Sequence, residues 1–115
     1  MLNNVTQSSG VKIIEPVNLY GCILGTDVFV GPFVEIQNEV TVGDRTRIQS
    51  HSFICSCVDI GTDCFVGHGV MFTNDKFTEG REDWVERKTI IGNNVRIGSN
   101  ATILPVTIGD GAVIG

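Results

Sequence analysis

Apolar side chains recur at every sixth position between residues 24 and 72. A second set of mostly small or β-branched residues lies two positions before each of them, so each pair shares one face of a short strand. The residues between successive pairs often include glycine or aspartate, which favour tight or left-handed turns. The six-residue positions are Leu24, Val30, Ile36, Val42, Ile48, Ile54, Ile60, Val66 and Phe72.

A strict period of six matches neither an α-helix nor a hairpin sheet. Short repeats of this kind are typical of a parallel β-helix, in which three sides of six residues make a coil of eighteen. That count stacks Leu24, Val42 and Ile60 in one interior column. The other two columns are equally apolar, so the sequence predicts an all-β prism of hexapeptide repeats.

The repeat stops after Phe72 and resumes at Ile91, which predicts that residues 73–88 form a loop expelled from the prism. Long insertions in compact folds are often functional. This one contains Trp84, the only tryptophan, so we expect an ordered loop that packs on a neighbour. We expect residues 1–115 to form a single domain. The chain ends inside a repeat, and we expect further coils or a cap to be missing, because an open β-helix end exposes its core.

Composition narrows the function classes. The net charge is −5 and the eight lysine and arginine residues form no run, which argues against a nucleic-acid partner. The sequence shows neither a signal-peptide pattern nor a membrane span, so we expect a cytoplasmic protein with no membrane partner. The Cys55-x-Cys57 pair has no second pair beside it, so we expect no metal site.

Outward strand positions predict an oligomer, because a thin prism buries little apolar area per residue. Phe29 and Phe65 share one outer column, with Arg47 between them. Phe53 and Met71 share the next outer column. Stacked apolar columns make a contiguous patch, which favours an interface over scattered exposure.

The most specific string is Gly67-His68-Gly69-Val70-Met71-Phe72-Thr73-Asn74-Asp75, at the entry to the loop. It resembles the corresponding segment of bacterial N-acetyltransferases that act on nucleotide-linked amino-deoxysugars. Residues 16–22 and 98–105 resemble those enzymes too. The chain is therefore similar to the hexapeptide-repeat acyltransferases. The resemblance implies a left-handed parallel β-helix, a homotrimer, and acetyl transfer from acetyl-CoA to the amino group of a nucleotide-sugar substrate.

Acetyl transfer to an amine needs a group that accepts a proton and donors for the oxyanion. The two histidines, His51 and His68, fall on one edge of the prism when the chain is stacked in coils of eighteen residues. They are candidate catalytic residues, and the family-like motif adds Asn74. The candidate substrate-binding residues are Asp75, Glu35 and Trp84.

The resemblance also implies that acetyl-CoA lies in a groove between subunits near the later coils. Its candidate binding residues are Gly98, Ser99, Asn100 and Ala101. A sugar O-acetyltransferase and a non-catalytic trimeric scaffold are the alternatives. A zinc enzyme resembling the gamma-class carbonic anhydrases is disfavoured, because Thr73 stands where their pattern has a further histidine ligand.

Overall fold

The computed structural model describes residues 1–75 and 86–115. Over these ranges the chain forms short β-strands, and no helix in them could cross a membrane. The strands are β1 (Leu2–Asn3), β2 (Thr6–Gln7), β3 (Lys12–Ile13), β4 (Asn18–Tyr20), β5 (Ile23–Leu24), β6 (Phe29–Val30), β7 (Glu35–Ile36), β8 (Val40–Val42), β9 (Arg47–Ile48), β10 (Phe53–Ile54), β11 (Val58–Ile60), β12 (Phe65–Val66), β13 (Met71–Phe72), β14 (Thr89–Ile91), β15 (Arg96–Ile97), β16 (Thr102–Ile103), β17 (Thr107–Ile108) and β18 (Val113–Ile114).

These strands form three parallel sheets of six strands each. The first has the order β1-β4-β7-β10-β13-β16, and the other two follow the same rule of every third strand. Each strand therefore pairs with the strands one coil before and one coil after it. The molecule is a parallel β-helix of about six coils, consistent with the left-handed form.

The predicted register is confirmed in the central coils. Ile48 pairs with Val30 on one side and Val66 on the other, eighteen residues away in each direction. All three side chains are fully buried. Their outward neighbours, Phe29 and Arg47, are cross-strand partners, and the Arg47 guanidinium lies 4.3 Å from the Phe29 ring centroid.

The first and last coils are one residue shorter than the central ones. Leu2 pairs with Leu19, and Ile90 pairs with Thr107, in each case seventeen residues on. Val58 pairs with Thr89, so the coil that holds the loop contains thirteen residues more than a regular one. The prism therefore absorbs the loop without losing register.

The glycines that begin the corners serve coil packing rather than left-handed backbone. A Cβ on Gly43 would lie 2.5 Å from the carbonyl carbon of Gly61, one coil on, so the backbone of one coil would have to shift. The left-handed position comes two residues later and is usually not glycine, as at Arg45 (φ 60°) and Asp63 (φ 56°). The sequence pattern alone predicts a turn role for both the glycine and the left-handed residue. The structure separates them.

Candidate functional site

The predicted catalytic histidines lie on one edge of the prism, in adjacent coils. The Gly69 N–H donates to the Ser50 carbonyl (3.0 Å), which places the His68 corner directly beside the His51 corner. One coil further, the Asn100 N–H donates to the His68 carbonyl (2.9 Å). The edge therefore brings together both histidines and the segment predicted to bind acetyl-CoA.

The His68 side chain is exposed at this edge, between two glycines. Its backbone N–H donates to Ser99 Oγ (3.0 Å), which fixes the corner. Among the described residues the imidazole has no hydrogen-bond partner. Both ring nitrogens are therefore open to a substrate, and Gly67 and Gly69 add no side chain that would obstruct one.

Three of the four predicted acetyl-CoA residues already use their backbone N–H groups. Gly98 donates to the Ile114 carbonyl (2.8 Å), Asn100 donates to His68, and Ala101 donates to the Gly98 carbonyl (3.4 Å). Within residues 1–75 and 86–115 the Ser99 N–H makes no such bond. The backbone N–H groups of this segment therefore serve mainly to join it to the neighbouring coils.

His51 is stacked against Phe33, which the sequence analysis did not single out. The two ring centroids are 5.0 Å apart with a 31° angle between the planes. Both residues have left-handed backbone, and the Phe33 side chain is 57% exposed. The available sequence signal was a large apolar residue at a corner position where small polar residues are usual.

A cleft of about 240 Å³ lies next to Phe33 and contains the predicted substrate residue Glu35. Glu35 Oε1 accepts a hydrogen bond from Asn18 Nδ2 (3.2 Å), and Oε2 accepts one from Gln37 Nε2 (3.1 Å). The remaining lining residues are Pro16, Val17, Asn18 and Val34. Glu35 therefore faces a cleft that borders the histidine edge through Phe33.

Asn74 lies away from the histidines, at the opposite end of β13. Its amide donates to Ser56 Oγ (3.2 Å) and to Glu86 Oε2 (3.2 Å). Ser56 also donates to Glu86, and these bonds lower the pKa of the Glu86 carboxyl, the one from Ser56 contributing most. Asn74 and Glu86 thus tie together the two ends of the loop. The structure does not bring Asn74 to the histidine edge.

The other two predicted site residues of the loop are Asp75 and Trp84. Both follow Asn74 in the sequence. The Asp75 N–H donates to Thr73 Oγ1 (3.3 Å), a turn that opens the loop. Trp84 lies outside the described residues. The roles predicted for Asp75 and Trp84 in substrate binding stay predictions.

The Cys57 thiol is surrounded by carboxylates and is not paired with Cys55. Its thiol lies 3.1 Å from Glu39 Oε2 and 3.1 Å from Glu86 Oε1. The hydrogen bond to Glu39, followed by the one to Glu86, raises the pKa of the thiol to about 12. Cys57 is therefore protonated and a poor nucleophile at neutral pH. Together Glu39, Cys57 and Glu86 could offer donor atoms within 4.8 Å of one another, and the expectation of no metal stays a prediction.

Comparisons with known proteins agree with this architecture. A family model described as a bacterial transferase hexapeptide of six repeats matches residues 21–56. A second model, the hexapeptide repeat of succinyl-transferase, matches residues 88–115. The chain is 35% identical over 114 residues to the bifunctional protein GlmU of Acetivibrio thermocellus, covering 98% of this chain. It spans only 22% of that relative's length.

Solved structures share the same fold. The acetyltransferase domain of PglB from Neisseria gonorrhoeae superposes with a TM-score of 0.72 and 17% identity, over 96% of this chain and 50% of that one. The same domain in complex with acetyl coenzyme A gives a TM-score of 0.57 and 14% identity over the same shares. The two family models and the coil register together show that this chain is built from hexapeptide repeats, and it is similar to the acyltransferases that carry them.

Proposed function

We propose that the protein transfers an acetyl group from acetyl-CoA to the amino group of a nucleotide-linked amino-deoxysugar. The observation that carries this proposal is the exposed His68, flanked by glycines and stacked directly below Ser99. A basic side chain with unoccupied ring nitrogens can accept the proton that acyl transfer to an amine releases. The fold similarity to an acetyltransferase domain that binds acetyl coenzyme A supports the choice of donor.

His68 acts in this scheme as the general base. The substrate amine attacks the thioester carbon, and His68 accepts the proton that the amine releases as the new N–C bond forms. Collapse of the tetrahedral intermediate breaks the C–S bond and releases the thiol of CoA.

A homotrimer is part of the proposal, since the outer faces carry stacked apolar residues. Phe29 and Phe65 are half-buried in one such column, and Met71 is 43% exposed in the next. We expect sedimentation velocity at micromolar concentration to give three times the monomer mass. Phe65→Ser should weaken the trimer, whereas Thr107→Ser, in the sheet formed by β2, β5, β8, β11, β14 and β17, should leave it intact. A monomeric wild-type protein would refute this part of the proposal.

The activity is tested by incubating the protein with acetyl-CoA and a panel of nucleotide-linked amino sugars while following thiol release. We expect release with at least one amino sugar and none with the matching sugar that lacks the amine. Release with a hydroxyl-only sugar would instead indicate an O-acetyltransferase. Absence of release with every substrate, for a folded trimer, would favour the scaffold function.

A further inference from the structure

Phe33 is an unusual residue for its position. A bulky side chain rarely adopts left-handed backbone, yet Phe33 has a φ of 63° and more than half of its side chain is exposed. The ring adds little to the core, so its placement needs another reason. Stacking on His51 at 5.0 Å restricts its orientation. The result is an exposed aromatic surface at the border of the 240 Å³ cleft.

The polar groups of the cleft complement this surface. Each Glu35 carboxylate oxygen accepts one hydrogen bond in the structure and has lone pairs for another. Carboxylates with free lone pairs bind the ribose hydroxyls in dinucleotide-binding folds. The Asn18 amide offers both a donor and an acceptor at the same cleft. An aromatic face, a carboxylate and an amide are the groups that a nucleoside needs.

We infer that this cleft binds the nucleoside of the nucleotide-linked sugar, with the base on Phe33 and the ribose hydroxyls on Glu35; the inference rests on the proposed function. The negative charge of Glu35 repels phosphate, so the diphosphate of the bound nucleotide points out of the cleft. Because His51 stacks on Phe33 and adjoins the His68 corner, the attached sugar is directed to the catalytic edge.

The same charge separates two sources of nucleoside. Coenzyme A also contains an adenosine, but its ribose carries a phosphate on the 3′ oxygen. That phosphate would meet the Glu35 carboxylate, whereas the free ribose of a nucleoside diphosphate donates hydrogen bonds to it. The cleft therefore selects the sugar nucleotide and not the acyl donor.

Isothermal titration of the full chain with UDP, GDP and coenzyme A, each separately, tests this assignment. We expect at least one nucleoside diphosphate to bind, and Phe33→Leu to weaken it about 5- to 100-fold, since base stacking on an aromatic side chain has that value. Phe33→Tyr should keep the affinity. Leu104→Ala, another exposed apolar corner residue, is the control and should change nothing.

Glu35→Gln gives a second, independent readout. Wild-type protein should prefer a ribonucleoside diphosphate over its 2′-deoxy form, and Glu35→Gln should bring the ratio of the two affinities close to one. Coenzyme A affinity should stay the same in both Phe33→Leu and Glu35→Gln. Melting temperatures confirm that each variant is folded.

Several outcomes would overturn the inference. The first is that no nucleoside diphosphate binds at millimolar concentration. The second is that a folded Phe33→Leu variant binds the nucleoside diphosphate with wild-type affinity. The inference also fails if Phe33→Leu loses coenzyme A binding instead of nucleoside binding, or if it dissociates the trimer. Acetyl transfer with an unchanged sugar-nucleotide KM in Phe33→Leu would reject the cleft alone. Nucleoside binding without transfer to any amine would reject the proposed function alone.

Discussion

Replacing Ile48 by aspartate is expected to unfold the central coils. Ile48 is fully buried between Val30 and Val66, so the new carboxyl would have neither water nor a hydrogen-bond partner. Such burial costs several kcal/mol, a large part of the roughly 5–15 kcal/mol that stabilises a typical domain. Thermal denaturation followed by circular dichroism should show a melting temperature at least about 10 °C lower, or no folded protein.

Ile23→Asp is the matched control, because it makes the same chemical change at an outward strand position. Ile23 is 51% exposed, and its cross-strand neighbours Thr6 and Thr41 are polar. Its carboxylate stays hydrated, so the melting temperature should change little. Both variants must be compared at one protein concentration, since an oligomer's stability depends on it. Equal melting temperatures for the two variants would contradict the interior register.

The interior of the fold was predictable because burial acts on every sixth residue. The column through Val30, Ile48 and Val66 repeats the same apolar requirement in each coil, so the pattern is visible in the sequence. The first coil was not recognised. Its strand residues Leu2 and Thr6 are exposed and its spacing is seventeen, so burial leaves little periodic signal there.

The candidate site was only partly predictable, for a different reason. Counting in eighteens places His51 and His68 in adjacent coils, because backbone pairing sets which corners stack. Counting does not show side-chain directions at the corners. The Phe33–His51 stack and the bonds from Asn74 to Glu86 depend on left-handed backbone and on where the loop returns. Asn74 is only six positions after His68 in sequence, yet the strand between them places them on different edges.

Replacing His68 by alanine is expected to lower the turnover number about 10²- to 10⁴-fold, the usual contribution of a general base. The affinity for acetyl-CoA should change little, because the loss falls on proton transfer and not on donor binding. Stopped-flow thiol release and a separate binding titration measure the two quantities. His51→Ala is the companion variant, since it removes the neighbouring imidazole from the same edge.

The pH dependence of these variants distinguishes two mechanisms. If His68 accepts the amine proton, the His68→Ala rate should rise with pH, as the substrate amine loses its proton unaided. If the amine arrives already neutral, His68→Ala should lose little activity. Asn74→Ala should then have the larger effect, through the loop stem that its bonds to Ser56 and Glu86 maintain. Full activity in both variants, at every pH, would place the reaction on another edge of the prism.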